Sequence, residues 1–211
     1  LQARDISLDE LHTQFGLQST ADKTFFPEWQ EATPGLSDFE QTQLRRVQKN
    51  YLNLASRKNF SEEAVKMVVL SPLLDLAGFY QAPFALQTEE SVEIKAEDSD
   101  LLVKGKIDVL VVQQKFWVLV IESKSTQFDV LTALPQALTY MLGNPQANQP
   151  IYGLLVNGRE FVFIKLMNAN EANSNLTYAR SYALSLEHNG DLNQVLETLK
   201  VIRSNILEPT S

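Results

Sequence analysis

Three charged side chains on two short apolar runs carry the strongest chemical signal in the sequence. Asp108 follows Ile107 in one valine-rich run, and Glu122 and Lys124 end the next run. Runs of this length and composition are typical of buried strands. A carboxylate buried there is costly unless it meets a metal ion or a cation. The pattern therefore indicates two carboxylates and an ammonium converging at strand ends, which is what a metal-dependent phosphodiesterase needs.

The spacing of these residues sets a condition on the hairpin that joins the two runs. Glu122 and Lys124 are two residues apart, so on a strand both project from the same face. Residues 113–116 lie between the runs and predict a tight connection. If the loop has three residues centred on Lys115, Asp108 lies opposite Glu122 and the two share a face. A slip of one residue would move the set to the other face, so the shared face depends on the register.

The composition limits the class of protein. A chain of 211 residues, 44% apolar and 21% charged, is typical of a single soluble globular domain. It contains no cysteine, which excludes disulfides, thiolate zinc sites and cysteine nucleophiles. The two histidines, His12 and His188, do not have metal-ligand spacing. We find no apolar stretch of the roughly 20 residues that a membrane helix needs and no signal peptide, so we expect an intracellular, cytoplasmic protein without a membrane partner.

The charge of the chain is unevenly distributed. The net charge of −8 argues against a general nucleic-acid binder. Residues 41–58 nevertheless contain five cations and no acid, whereas residues 87–100 contain six acids and one lysine. A basic helix beside an acidic hairpin would present a local face that attracts phosphate. The alternative is a solvated amphipathic helix, which the basic segment by itself favours.

Local signals predict the elements that must position these residues. Capping boxes at Ser7/Glu10 and Ser37/Glu40 begin the first two helices, and Pro72 predicts a kink inside the third. The predicted elements are helices 5–15, 38–56 and 62–77, strands 84–95, 101–112 and 117–124, helix 129–142, a hairpin of 150–156 and 160–167 around Asn157-Gly158, a strand near 176–186 and a final helix 191–206. This order predicts an α/β (α+β) sandwich with a mixed central β-sheet flanked by helices.

An ordered set of motifs resembles the PD-(D/E)xK nuclease superfamily, and within it the N-terminal nuclease domain of type I restriction enzyme R subunits. The resemblance covers about residues 60–167 and implies a restriction-endonuclease-like fold. It divides the chain into an N-terminal helical and loop extension, 1–58, and a nuclease domain, 59–211. The matching segments are Glu63-Ala64-Val65 with Ser71-Pro72-Leu73-Leu74 and Gly78-Phe79, then Lys104-Gly105-Lys106-Ile107-Asp108, Val120-Ile121-Glu122-Ser123-Lys124, and Gln136-Ala137-Leu138-Thr139-Tyr140.

Two departures from that branch are visible. Ile107 stands where the family has a proline before the aspartate. The chain also has no Gly-x-x-x-x-Gly-Lys-Ser/Thr phosphate loop, so we expect no ATP site in it and no motor.

The resemblance implies a role for each metal-site residue. Asp108 and Glu122 are expected to hold Mg²⁺, with Mn²⁺ as a possible substitute, because these ions prefer hard oxygen ligands. The main-chain carbonyl of Ser123 is a further expected ligand. Lys124 is expected to orient the attacking water or to stabilise charge on the phosphoryl oxygens.

Three further residues are expected near the site. Glu63 is expected to bind the metal through water or to support a second metal, with Glu62 as the alternative because the helix phase is uncertain by one residue. Gln136 and Tyr140 are spaced i, i+4 and share a helix face. They are expected either to contact the nucleic-acid backbone or to brace Lys124.

These roles predict a magnesium-dependent endodeoxyribonuclease acting on DNA. DNA-recognition or motor subunits on other chains, or a homodimer, are possible partners. Two alternatives stay open: a nuclease-fold binding or assembly module with little or no cleavage, and a nuclease acting on RNA or branched DNA.

Overall fold

The computed structural model of the chain describes residues 2–31, 35–56, 61–95, 102–111, 116–120, 129–143, 149–168 and 176–207. For strand residues 87–92, 95, 105–111 and 116–120 it describes the backbone alone. Predictions that fall on other residues lie outside this part of the chain.

A mixed β-sheet forms the centre of the fold. Its strands in the described residues are β1 (Gln18–Ser19), β2 (Leu86–Lys95), β3 (Leu102–Val111), β4 (Phe116–Val120), β5 (Ile151–Val156), β6 (Glu160–Asn168), β7 (Leu176–Arg180) and β8 (Leu184–Ser185). They lie in the order β1-β7-β6-β5-β4-β3-β2, and β8 pairs with β6. The pairs β1/β7 and β4/β5 are parallel and the others are antiparallel. The predicted mixed sheet is therefore confirmed.

Helices flank this sheet. They are α1 (Leu8–Phe15), α2 (Asp38–Ala55), α3 (Glu62–Val65), α4 (Ser71–Leu76), α5 (Leu134–Leu142) and α6 (Asp191–Leu207). Short 3₁₀ turns lie at Ala3–Asp5, Pro27–Trp29 and Val130–Ala133. The Ser7 and Ser37 hydroxyls each accept a hydrogen bond from the backbone N–H three residues on, at 3.2 and 3.3 Å. Both capping boxes are confirmed, and they place the first turns of α1 and α2.

The interruption predicted at Pro72 lies in the turn before it. A π-helical turn, Lys66–Leu70, joins α3 to α4, and the N–H of Ser71 donates to the carbonyl of Lys66, five residues back. Proline has no backbone N–H, so Pro72 cannot give the α-helical hydrogen bond to Val68. A widened turn satisfies the neighbouring groups instead. We call residues 62–76, with the π turn, the α3–α4 helix.

Two hydrophobic cores lie on opposite faces of the sheet. One core, which we call the α6-side core, contains residues of α2, of the α3–α4 helix and of α6; the other, the α5-side core, contains residues of α1 and α5. Strand β5 contributes to both: Leu154 and Val156 face the α6-side core, and Ile151 and Leu155 face the α5-side core. A central strand buried on both faces explains its continuous apolar sequence.

α5 packs closely on β5 at Gly153. A Cβ built on Gly153 would lie 2.8 Å from the Met141 sulfur atom. A larger residue there would require the buried Met141 side chain to move. Gly153 therefore marks where α5, which carries two of the predicted site residues, lies against the sheet.

The segment before residue 59 belongs to the same cores. β1 pairs with β7 through Gln18 and Thr177. Leu44 and Val47 of α2 lie in the α6-side core, and Leu11 of α1 lies in the α5-side core. The predicted N-terminal extension is thus packed against both faces of the sheet.

The hairpin predicted around Asn157-Gly158 is confirmed. Val156 pairs with Phe161, and Gly158 has a φ of +91°. The Asn157 side-chain oxygen accepts hydrogen bonds from the backbone N–H groups of Arg159 and Glu160, at 3.1 and 2.7 Å. These hydrogen bonds give the backbone N–H groups of the turn a partner within the turn itself.

The single strand predicted near 176–186 is wrong, because that region contains two strands. β7 ends at Arg180 and β8 begins at Leu184. Between them, the buried Ser181 hydroxyl accepts a hydrogen bond from the Phe163 N–H at 3.0 Å. A side chain thus replaces one backbone partner of the ladder, and the chain turns before pairing with β6 again.

No helix within the described ranges combines the length and apolar character needed to cross a membrane.

Candidate functional site

The predicted site residues differ in how much of each the structure describes. Glu122, Ser123 and Lys124 lie outside the described residues. Asp108 lies in the part of β3, residues 105–111, for which only the backbone is described. Among the residues whose side chains are described, no three acidic or histidine side chains come together as a metal site.

The backbone register tests the hairpin condition. β3 and β4 are antiparallel neighbours, and Val109 pairs with Val118. The three-residue loop centred on Lys115 would instead pair Val109 with Ile121, three positions away, so that loop is wrong. An odd change of register exchanges the two faces of a strand. A shared face for the two predicted carboxylates therefore does not follow from this hairpin.

The two acids on α3 differ in exposure. The ammonium of Lys66 lies 2.6 Å from the Glu62 carboxylate and 3.0 Å from that of Glu63. The Glu62 side chain is 26% exposed, whereas that of Glu63 is 75% exposed. Glu62 is three residues before the buried Val65, so the two lie on the same side of the helix. Of the two candidate acids, Glu62 is the one on the inward side.

Gln136 and Tyr140 form a pair on α5. The side-chain amide of Gln136 donates a hydrogen bond to the Tyr140 hydroxyl at 2.8 Å, which confirms that they share a face. Tyr140 is 2% exposed and belongs to the α5-side core together with Val103 of β3. A tyrosine buried to this degree has little surface with which to contact a nucleic acid.

The sheet separates these two groups. The α3–α4 helix packs in the α6-side core, whereas α5 packs in the α5-side core. α5 also contacts β2, β3, β4 and β5. The acids of α3 and the Gln136–Tyr140 pair therefore lie on opposite faces, and β3, which contains Asp108, belongs to the sheet between them.

A buried ionic cluster was missed by the sequence analysis. The Glu28 Oε1 atom accepts hydrogen bonds from the Lys165 ammonium at 2.7 Å, the Tyr152 hydroxyl at 2.8 Å and the Asn205 amide at 3.3 Å. The side chains of Glu28 and Lys165 are 5% and 9% exposed. The cluster joins the turn Pro27–Trp29 to the sheet and to α6.

A signal for this cluster was present in the sequence. Lys165 is a charge inside the apolar run of residues 161–166, which is the same criterion that singled out Asp108. Its partner, Glu28, is distant in the chain, so periodicity could not find the pair. Burial raises the pKa of Tyr152, and the negative charge of Glu28 raises it further, so this hydroxyl remains a donor.

The Glu40 carboxylate, in the first turn of α2, has a strongly lowered pKa. Glu40 accepts hydrogen bonds from the Lys200 ammonium at 2.6 Å and from the Ser37 hydroxyl at 2.7 Å. The hydrogen bond from Lys200, followed by those from Ser37, lowers the pKa of Glu40 to about 2. The pair ties α2 to α6 on the sheet face where the α3–α4 helix also packs.

A groove lies between α2 and the α3–α4 helix. Its volume is about 720 Å³, and its lining is mixed: Phe39 and Leu76 are apolar, whereas Arg46 and Asp75 are charged. No catalytic arrangement is present among its lining residues.

The chain matches no protein-family model, and no curated protein matches it at a significant level.

Proposed function

We propose that this protein is a magnesium-dependent endodeoxyribonuclease with a restriction-endonuclease-like fold, similar to the N-terminal domain of type I restriction enzyme R subunits and acting in the cytoplasm. The observation that carries the proposal is the pairing of two strands. β3, which contains Asp108, is hydrogen-bonded to β4, whose last residue, Val120, is two positions before Glu122 in the sequence. The order of a helix, three antiparallel strands, a helix and a parallel strand is the alternation that the motif resemblance requires.

The donor set fits a hard divalent cation. The carboxylates of Asp108 and Glu122 and the carbonyl of Ser123 are all oxygen ligands, which Mg²⁺ and Mn²⁺ prefer. A metal held there would polarise the scissile phosphate and lower the pKa of a bound water. No sulfur or imidazole donor occurs among the three, which disfavours zinc.

The remaining residues act on the substrate through charge and position. The Lys124 ammonium orients the attacking water and offsets charge that develops on the phosphoryl oxygens. The Gln136 amide donates to the Tyr140 hydroxyl at 2.8 Å, and this partly buried pair braces Lys124. An acid on α3, either Glu63 or the more inward Glu62, binds the metal through a water molecule or supports a second metal ion.

The test is nicking of supercoiled DNA with and without Mg²⁺. We expect Asp108→Ala and Lys124→Ala to abolish metal-dependent nicking because each removes a group that acts on the reacting phosphate. Matched controls are Asp75→Ala and Lys23→Ala, which remove exposed charges of the same type away from β3 and β4. Circular dichroism and thermal unfolding must show that all four variants are folded. Unchanged nicking in both Asp108→Ala and Lys124→Ala would contradict the proposal.

The β3–β4 register favours a second candidate function. Because Val109 pairs with Val118, the hairpin does not supply the shared face on which the metal site depends. A nuclease-fold module that binds nucleic acid or assembles with DNA-recognition or motor subunits, without cleaving, fits this register and the net charge of −8. Metal-dependent nicking by the purified protein that is lost in Glu122→Gln would exclude this candidate. The same assay with RNA and with branched DNA identifies the preferred substrate, and light scattering tests for a homodimer.

A further inference from the structure

The outer face of α2 carries a group of cations, Arg45, Arg46 and Lys49, which we call the α2 cationic face. All three side chains are exposed. The opposite side of the helix is anchored in the α6-side core by Leu44 and Val47. The burial of one side sets the rotation of the helix, so the three cations are held towards solvent.

These cations form no ion pair with a described acid, although Arg46 and Asp75 line the same groove. Among the described residues, none of the three has a carboxylate within salt-bridge distance. Arg45 donates to the Thr42 hydroxyl at 2.8 Å. The two acids of the helix, Asp38 and Glu40, lie in its first turn, and Glu40 is bonded to Lys200. The face is therefore positive on a chain whose net charge is −8.

The surroundings of the face favour a phosphate ligand. Thr42, Asn50 and Asn53 are exposed on the same helix and can donate hydrogen bonds to phosphate oxygens. Arg45 and Lys49 are one helical turn apart, about 6 Å along the axis at ~1.5 Å per residue. A row of cations and amides at this spacing fits the backbone of a nucleic acid, whose charges also lie in a row.

The α2 cationic face also lies beside the α3–α4 helix, which carries the candidate acids. α2 contacts the π turn that follows α3. Tyr51 of α2 and Val65 of α3 both pack against the hairpin tip, where a Cβ on Gly158 would lie 3.3 Å from the first and 2.9 Å from the second. The cations and the acids therefore belong to one packed unit.

We propose that the α2 cationic face binds the sugar–phosphate backbone of duplex DNA and positions it against the active site. The inference rests on the proposed action on DNA. It assigns to α2 an attraction that the net charge of the chain conceals, since a cluster of cations acts within a Debye length regardless of distant acids.

The test is the salt dependence of duplex binding, measured in EDTA so that cleavage plays no part. Arg45→Gln/Lys49→Gln removes two positive charges from the α2 cationic face. Lys23→Gln/Arg180→Gln removes two exposed positive charges near the β1–β7 edge of the sheet, so the two variants have the same net charge. The measurement is the dissociation constant of a fluorescent duplex at several KCl concentrations, by anisotropy.

We expect the α2 variant to weaken binding and to lower the slope of log K against log salt by about 1.8, since each phosphate contact contributes ~0.9. The control variant is expected to keep the wild-type slope. Equal slopes in both variants would overturn the proposal, and so would the absence of duplex binding by the wild type. The same titration with RNA and with an acidic protein completes the test: if the α2 variant loses affinity only for one of these, the proposal is also overturned. Nicking by Asp108→Ala is scored separately: unchanged nicking contradicts the proposed active site, whereas an unchanged slope contradicts only the role of α2.

Discussion

Two groups of glutamate and lysine in this protein use the same chemistry in different surroundings. Glu28 and Lys165 lie 2.7 Å apart beneath α6, with side chains that are 5% and 9% exposed. At the start of the α3–α4 helix, the Lys66 ammonium lies 2.6 Å from Glu62 and 3.0 Å from Glu63; the side chains of Lys66 and Glu62 are 20% and 26% exposed, and that of Glu63 is 75% exposed. The distances are nearly equal, so distance does not distinguish the two groups. Burial does.

Burial changes what each group contributes. A charge taken out of water loses several kcal/mol of hydration, so removal of one partner from a buried pair leaves the other strongly destabilising. An exposed pair contributes about 0–1 kcal/mol because water already solvates both charges. We therefore assign Glu28 and Lys165 to the folding of the protein, and leave the acids of α3 available for function.

The largest expected effect is that of Lys165→Met. The variant leaves the Glu28 carboxylate buried with only the Tyr152 hydroxyl and the Asn205 amide as donors. We expect the free energy of unfolding to fall by about 3–5 kcal/mol. Urea unfolding measures the change. The matched control is Lys104→Met, because Lys104 and Glu93 also lie 2.7 Å apart but their side chains are 53% and 57% exposed, and we expect a cost of less than about 1 kcal/mol. Similar losses in Lys165→Met and Lys104→Met would show that burial does not set the contribution of a pair.

The double variant Glu28→Gln/Lys165→Met separates the charge of Glu28 from its packing. It removes both charges, so the penalty of an uncompensated buried carboxylate disappears. We expect it to be more stable than Lys165→Met alone, by the same urea measurement. A double variant less stable than the single one would show that Glu28 is held by interactions other than charge.

A smaller effect is expected for Tyr152→Phe. It removes one donor to Glu28 without changing the shape of the core, and we expect a loss of about 1–2 kcal/mol because the lost bond ends on a charged group. Tyr182→Phe is the control, since the Tyr182 hydroxyl makes an exposed contact of 3.1 Å with Gln194. Equal changes in thermal unfolding would contradict the role of burial.

The Glu40–Lys200 pair, intermediate in exposure, predicts a dependence on pH. Its hydrogen bonds lower the pKa of Glu40 from 4.5 to about 2 in the folded protein. Because the folded value is the lower one, the carboxylate stabilises the fold fully above pH 4.5, and this contribution is lost as the pH falls from 4.5 to about 2. Glu40→Gln is expected to cost about 1 kcal/mol at neutral pH, as a cap and dipole partner.

Unfolding of the wild type and of Glu40→Gln between pH 2 and pH 7 measures this contribution. The difference between the two proteins is expected to narrow below pH 4.5. A difference that stays constant over that range would show that the charge of Glu40 has no part in it.

The smallest effects on stability are expected on α3. Glu62→Gln and Glu63→Gln each remove one partner of Lys66, and each is expected to change the free energy of unfolding by only about 0.2–0.5 kcal/mol. Metal-dependent nicking separates them: we expect the inward Glu62 to matter more than the exposed Glu63. A larger loss of nicking in Glu63→Gln would show that Glu63, the acid that the motif resemblance indicates, is the one that acts at the site.

The elements that were predicted correctly depend on neighbouring residues. Ser7 and Ser37 are satisfied by a glutamate three residues away, and Asn157 caps its own turn. The strand near 176–186 was predicted as one element because the hydrogen bond from Phe163 to Ser181, which replaces a ladder bond, joins residues 18 positions apart. A hydrogen bond between residues so far apart in the chain cannot be found from a local sequence pattern.

Local spacing was enough to predict most of the helices and strands, the caps of α1 and α2, and the shared face of Gln136 and Tyr140, because each depends on groups within a few residues. The β3–β4 register, the inward position of Glu62 and the contact of Glu28 with Lys165, 137 residues apart, became visible in the folded chain. The physical reason is the same in each case. Register, burial and ion pairing between distant residues are set by the packing of the sheet and its two cores, which no local spacing encodes.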